Sequence, residues 1–189
     1  MQQVKAQDSN SNIQNNQSYI NMITFTKFYN DYEFMAALFY NDMLDSEDIY
    51  KIADLLTNKI SDNELVNILL HKPNDHDNQI LMNAFFERHN LKCNYPKQYI
   101  VAKIFYYILQ NKILLSDGID FVHYDLSDYE AIKEYIGDDI GIEKIIADYD
   151  PIDDGHLTSE QSNILKSKIY KNMREYIKQY QTDGNKQST

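Results

Sequence analysis

Lys97-Gln98-Tyr99-Ile100-Val101-Ala102-Lys103-Ile104-Phe105-Tyr106-Tyr107-Ile108-Leu109-Gln110-Asn111-Lys112 carries apolar or aromatic residues on almost every side of a helical projection. Ile100, Val101, Ile104, Phe105, Ile108 and Leu109 recur at helical spacing, and Tyr99, Tyr106 and Tyr107 fill the flanks. A helix that is apolar nearly all round has no face to give to water, so other elements must surround it. The segment therefore predicts a helical architecture with this helix at its centre. Pro96, just ahead of it, has the fixed φ and the missing N–H that suit a helix start.

The neighbouring segments supply the amphipathic helices that such a centre needs. Upstream, Phe25, Phe28, Tyr32, Met35, Leu38 and Phe39 form one apolar face from Thr24 onward. Ser46, Glu47 and Asp48 open a second helix, with Ile49, Ile52, Ala53, Leu55 and Leu56 inward, running to about Asn58. Asp62 is the expected N-cap of a short third helix through Leu65, Ile68 and Leu69, ended by Pro73. A fourth runs from about Asp77 to His89 with Ile80, Leu81, Ala84 and Phe85 inward.

Downstream, Ser116-Asp117-Gly118 predicts a turn, and Ile119, Phe121, Val122 and Tyr124 predict either a short extended segment near 119–124 or a loop that plugs the core. Two short helices are expected at about Ser127 to Ile136 and Ile140 to Tyr149. A long one follows from Thr158 to Tyr180, with Leu165, Ile169, Met173, Tyr176 and Tyr180 on one stripe. The fold expected is all-α or mainly α, an irregular bundle of about seven to eight helices in a single domain over residues 22–180. Residues 1–21, rich in Gln, Asn and Ser, read as a disordered arm, and 181–189 as a frayed tail. Asn41 to Ile49 and Asn111 to Ile119 echo one another, and two helix ends followed by new starts account for this without a repeat.

Five glycines and three prolines in 189 residues disfavour turn-rich sandwiches and barrels. The single cysteine, Cys93, cannot form an internal disulfide, and no signal-like apolar core is seen near the N-terminus, so a cytoplasmic location is expected. The longest apolar run, around Ile104 to Leu109, falls far short of the roughly 20 residues of a membrane span, so no integral membrane segment is expected.

Charge is distributed unevenly. Residues 116–154 hold thirteen carboxylates against two lysines, which equals the net charge of −11 for the whole chain. Such a field repels nucleic acid and anionic lipid and attracts a basic protein surface or a divalent cation. Tyr124, Tyr129, Tyr135 and Tyr149 lie within the segment. Rings among carboxylates suit a protein interface, where the ring supplies contact area and the charges steer the partner, although the same rings could simply anchor short helices to the core.

The acidic loop Asp148 to Glu160 raises calcium. With Gly155 at the sixth position of an EF-hand loop, Asp150 stands first and Asp154 fifth, but Ile152 occupies a ligand slot and Gln161 replaces the bidentate glutamate, with Glu160 one residue early. Asp150, Asp154 and Glu160 are thus the candidate metal ligands. The structural alternative is a helix stopped by Pro151, a solvated turn, and Thr158 or Ser159 capping the last helix. Asp138 and Asp139, with Glu134, Glu143 and Asp148, could serve a magnesium-dependent hydrolase; ahead of Ile140 they also complement a helix dipole. His71, His76, His89, His123 and His156 show no ligand spacing. No Gly-rich phosphate loop, nucleophile elbow or zinc pattern occurs, so no cofactor and no catalytic residue is expected.

Gly118-Ile119-Asp120-Phe121-Val122, Glu134-Tyr135-Ile136-Gly137-Asp138-Asp139-Ile140-Gly141-Ile142-Glu143-Lys144 and Tyr149-Asp150-Pro151-Ile152-Asp153-Asp154-Gly155 resemble an uncharacterised bacterial family, domain-of-unknown-function family twenty-two forty-seven. Its motifs are not catalytic ones. Small acidic helical proteins of this type are also similar to the immunity proteins that bacteria keep beside polymorphic toxins. The resemblance implies a protein-binding, immunity-like inhibitor that occludes a basic toxin or effector domain. Its contacts would be Tyr124, Asp125, Asp128, Tyr135, Asp138, Asp139, Asp150, Asp153 and Asp154. The alternatives are a metal-dependent enzyme or calcium-binding module using loop 148–160, and a structural subunit of a larger complex.

Overall fold

The computed structural model describes residues 25–73, 76–91, 93–126 and 141–184, and every regular element among them is helical. The central helix is α5 (Lys97–Leu109), in which Ile100, Val101, Ile104 and Phe105 are fully withdrawn from solvent and Tyr107 and Ile108 nearly so. Tyr106 alone of the residues from Ile104 to Ile108 faces outward, at 45% exposure.

Two groups of helices wrap α5. On one side, a 3-10 turn (Phe25–Phe28) leads into α1 (Tyr32–Tyr40), which packs on α5 through a buried run from Phe34 to Leu38. Then α2 (Ser46–Thr57), α3 (Asn63–Leu70) and α4 (Asp77–Arg88) pack on one another. On the other side, α6 (Leu115–Asp120) runs into a π-helical turn (Phe121–Asp125), and α7 (Ile142–Asp153) leads to the long α8 (Ser159–Gly184). Among the described residues α8 packs extensively on α5. There Ile169, Met173 and Tyr176 are buried, and the Tyr176 ring meets Phe105 edge-on at 5.3 Å.

Caps set the boundaries. The Asp31, Asp45 and Asp62 carboxylates each accept a backbone N–H of the first turn that follows, satisfying donors that a helix start leaves open. Asp62 also accepts from Arg88 at 2.8 Å, and Arg88 reaches Glu64 as well, which ties α4 to the start of α3. Thr158 and Gln161 form a capping box at α8: the Gln161 N–H donates to Thr158 Oγ1 at 3.3 Å and the Thr158 N–H to Gln161 Oε1 at 3.0 Å.

The echo between residues 41–49 and 111–119 has its cause in two like helix ends. Asp42 and Asn111 both adopt left-handed backbone, φ +57° and +55°. The next N–H returns to a carbonyl five residues back, Met43 to Leu38 and Lys112 to Tyr107, each at 2.9 Å. Asn90 ends α4 in the same manner, with φ +56° and a 3.0 Å bond from Leu91 to Phe86. This is the Schellman arrangement with Asn or Asp in place of glycine.

Several expectations are corrected. Ser116 to Asp120 is helix rather than turn, and 119–124 is helical rather than extended: the Leu126 N–H donates to the Phe121 carbonyl at 3.2 Å, an i to i+5 bond. The expected plug is real, since Ile119, Phe121, Val122 and Leu126 are buried and Phe121 meets Phe25 at 5.0 Å. Ile80 points outward at 61% exposure, and Met82 and Phe86 take the inward positions on α4. Pro151 does not stop α7, which continues through it to Asp153. Proline there gives up the hydrogen bond to the Ala147 carbonyl and crowds that carbonyl with its ring, and the helix runs only two residues beyond it. The stop comes from Gly155, whose φ of +69° favours glycine. α8 extends past Tyr180 to Gly184. The arm 1–21, the expected helix 127–136 and the tail after 184 lie outside the described residues.

Candidate protein-binding surface

Helix α6 is drawn tightly onto α5 by Gly118. A Cβ there would stand 2.8 Å from Ile108 Cγ1, closer still to its Cδ1, and 3.3 Å from Ile104 Cγ2. A residue without a side chain is what permits this approach. On α6, Asp120 comes within electrostatic reach of Asp153 near the C-terminal end of α7, and Asp117 stands three residues before Asp120. The Tyr149 ring is anchored in the core at 7% exposure, and its hydroxyl lies 3.5 Å from Asp153 Oδ1.

The electrostatics record this crowding. Burial, then Asp153 and Asp117, raise the Asp120 carboxyl above its ordinary value, with His123 offsetting part of the shift. Burial, then Asp153 and Asp120, push the Tyr149 hydroxyl up to about 12. Each is the expected response to like charges and lost solvation. Among the described residues no lysine or arginine is ion-paired with Asp117, Asp120, Asp150, Asp153 or Asp154. Asp148, one turn earlier on α7, is instead paired with Lys168 of α8 at 2.6 Å.

Of the residues singled out from sequence, Asp150, Asp153 and Asp154 are exposed at the end of α7. Tyr124 and Asp125 lie in the π-helical turn. Asp128, Tyr129, Glu134, Tyr135, Asp138 and Asp139 lie outside the described residues. Asp117 and Asp120 were not singled out, because a turn at Ser116-Asp117-Gly118 would not have aligned them; the signal available was their spacing of three. Tyr149 takes the anchoring role, ring inward.

The calcium geometry fails. An EF-hand needs a loop beginning at its first ligand, whereas Asp150 to Asp153 are helical here and Glu160 stands in the first turn of α8. Among the described residues no three His, Cys, Asp or Glu side chains gather to hold a metal ion. Among the same residues no helix is long and apolar enough to cross a membrane.

A second polar cluster escaped the sequence reading altogether. Asp31 Oδ2 accepts from Lys103 Nζ at 2.7 Å and from the Tyr107 hydroxyl at 2.6 Å, while Oδ1 caps α1 through the Phe34 N–H at 3.1 Å. Burial alone would raise this carboxyl, but the Lys103 and Tyr107 hydrogen bonds hold it below its ordinary value. Burial and then Asp31 raise the Tyr107 hydroxyl in return, so it remains a donor. The available signal was a lysine in the middle of an apolar helix, which calls for a partner. In comparisons with known proteins no family model matches the chain, and no curated protein or solved structure matches it either.

Proposed function

We propose that the protein acts by binding a basic partner protein, as an immunity-like inhibitor that occludes a toxin or effector domain with its acidic face. The observation that carries this reading is the crowding of Asp120 by Asp153 and Asp117, to which no lysine or arginine is ion-paired among the described residues, beside exposed Asp150 and Asp154. Unpaired carboxylates held together raise one another's pKa and oppose folding slightly. A basic partner removes that repulsion on binding, so the charges contribute more in the complex than in the free protein. Tyr124, Asp125, Asp128, Tyr135, Asp138 and Asp139 are further contacts in this proposal, and a bacterial cytoplasmic setting belongs to it.

Long-range attraction acts on the encounter, while local apolar and aromatic contacts set the dissociation rate. The test is capture of partners by the intact protein and by an Asp117→Asn, Asp120→Asn, Asp153→Asn variant. Stopped-flow association with the captured basic protein and an assay of that protein's activity follow. The reading expects an association rate that drops by about tenfold or more between low and physiological salt, a slower rate for the variant, and inhibition by the intact protein. An association rate indifferent to both salt and substitution sinks it.

A further inference from the structure

The 3-10 turn and the residues that follow it face α5 and the α5–α6 connection across an open cleft of about 700 Å³, lined in part by Lys27, Phe28, Tyr32, Tyr106, Tyr107 and Lys112. Phe28 and Tyr107 stack with ring centroids 4.1 Å apart and planes 19° from parallel. The Lys27 ammonium lies 5.1 Å from the Phe28 ring and donates to the Lys112 carbonyl at 2.9 Å. The Lys112 ammonium lies 5.5 Å from the Tyr107 ring. Lys59 repeats the pattern next to the cleft, 4.7 Å from the Tyr29 ring and 3.1 Å from Oδ1 of Asn30, a lining residue.

Lys27, Lys103 and Lys112 line this cleft in a chain of net charge −11; Lys103 is paired with Asp31, and among the described residues neither Lys27 nor Lys112 is ion-paired with a carboxylate. The two carboxylates that also line the cleft are engaged: Asp31 holds Lys103 and Tyr107, and Glu33 accepts from the Tyr99 hydroxyl at 3.2 Å. A ring face offsets only part of the charge on an ammonium, and neighbouring ammoniums repel. An anion entering the cleft relieves both.

We propose that this cleft binds a small molecule bearing phosphate groups, with a flat body lying against the exposed Tyr106. The cations are all lysines. Separated ammonium groups act as point charges, a recognised way of holding phosphate, and suit the several oxygens of a phosphate chain. The size lies within the range of small-molecule sites, roughly 300 to 1,000 Å³. A nucleic-acid polymer would extend into the field of the acidic segment and be repelled. A small anion within a Debye length, about 8 Å at physiological salt, responds chiefly to the local lysines.

The full chain is titrated calorimetrically with magnesium-free ATP, pyrophosphate and citrate, and its thermal unfolding is followed with each. ATP is expected to bind with a Kd of about 1 mM or tighter and to raise the melting temperature. Lys27→Gln combined with Lys112→Gln weakens binding by about tenfold or more. Lys51→Gln, which breaks only the exposed pair with Glu47 on α2, leaves it unchanged. Equal binding of pyrophosphate assigns recognition to the phosphates alone; binding of ATP without pyrophosphate adds the flat body, and both support the site. The proposal is overturned if neither phosphate probe binds, if citrate alone binds, or if the double variant binds as the intact protein does. Unfolding of each variant without ligand, together with the single Lys59→Gln variant, separates a lost site from a lost fold.

Discussion

Asp31 and Asp120 are both aspartates partly withdrawn from water at the flanks of the same central helix, yet their carboxyl groups shift in opposite directions. Asp31 sits where α1 meets α5, with an ammonium, a hydroxyl and a backbone N–H converging on it. Asp120 sits where α6 meets α7, facing Asp153 and Asp117. Burial disfavours the charged form at both sites. Hydrogen bonds from a cation and donors outweigh it at Asp31, and like charges add to it at Asp120. The first region is organised for stability, whereas the second retains electrostatic repulsion that a partner could relieve.

The largest expected effect tests whether the two regions form one cooperative unit. Phe105 is fully buried and touches Tyr176 of α8. Phe105→Ala should cost about 3 to 5 kcal/mol in urea unfolding. Hydrogen exchange should accelerate together in α1 and α7; acceleration in only one of them would mean that the two regions unfold separately.

Next comes Asp31→Asn, expected to lose about 1.5 to 3 kcal/mol at neutral pH, because a charged acceptor is removed and Lys103 is left without its partner. The pH dependence follows from the sign of the shift. With its folded pKa depressed below 3.8, Asp31 contributes stability that is present above that value and lost as pH falls through the folded pKa. The difference between intact and variant protein should therefore shrink at acid pH, as equilibrium unfolding at a series of pH values would show.

Gly118→Ala is expected to cost about 1 to 3 kcal/mol, because the added methyl meets Ile108 and Ile104 in a packed interface. It should also separate α6 from α5 and weaken the crowding at Asp120, read as a fall in the Asp120 pKa by NMR titration. An Asp120 pKa that stays put would show that Gly118 does not set the acidic geometry.

The smallest effect has the opposite sign. Asp120→Asn should stabilise the protein by a few tenths of a kcal/mol at neutral pH, the modest figure reflecting solvent screening. With its folded pKa raised above 3.8, Asp120 contributes favourably below that value, and the contribution is lost as pH rises through the folded pKa. Added salt should reduce the gain. A loss of stability on Asp120→Asn would contradict the reading of this region as electrostatically frustrated.

That the chain is helical, which helix lies at its centre and where several helices begin are all legible in local sequence. These are short-range properties: the apolar pattern of α5, the Asp62 cap two residues from the Glu64 N–H it accepts, and the Thr158–Gln161 box all reside within a turn or two. The short run from Ile119 to Tyr124 resisted reading because brief apolar stretches suit helix and strand alike, and Pro151 misled because the helix carries it two residues before its end, where few further bonds are at stake. Only the tertiary structure decided the polar clusters. Asp31 meets Lys103 across 72 residues of chain, and Asp120 of α6 feels Asp153 of α7 where Gly118 lets α6 lie close against α5. Helical periodicity constrains which face of one helix is apolar but not which charged side chains of two helices will be neighbours, and Coulomb forces and desolvation depend on that distance.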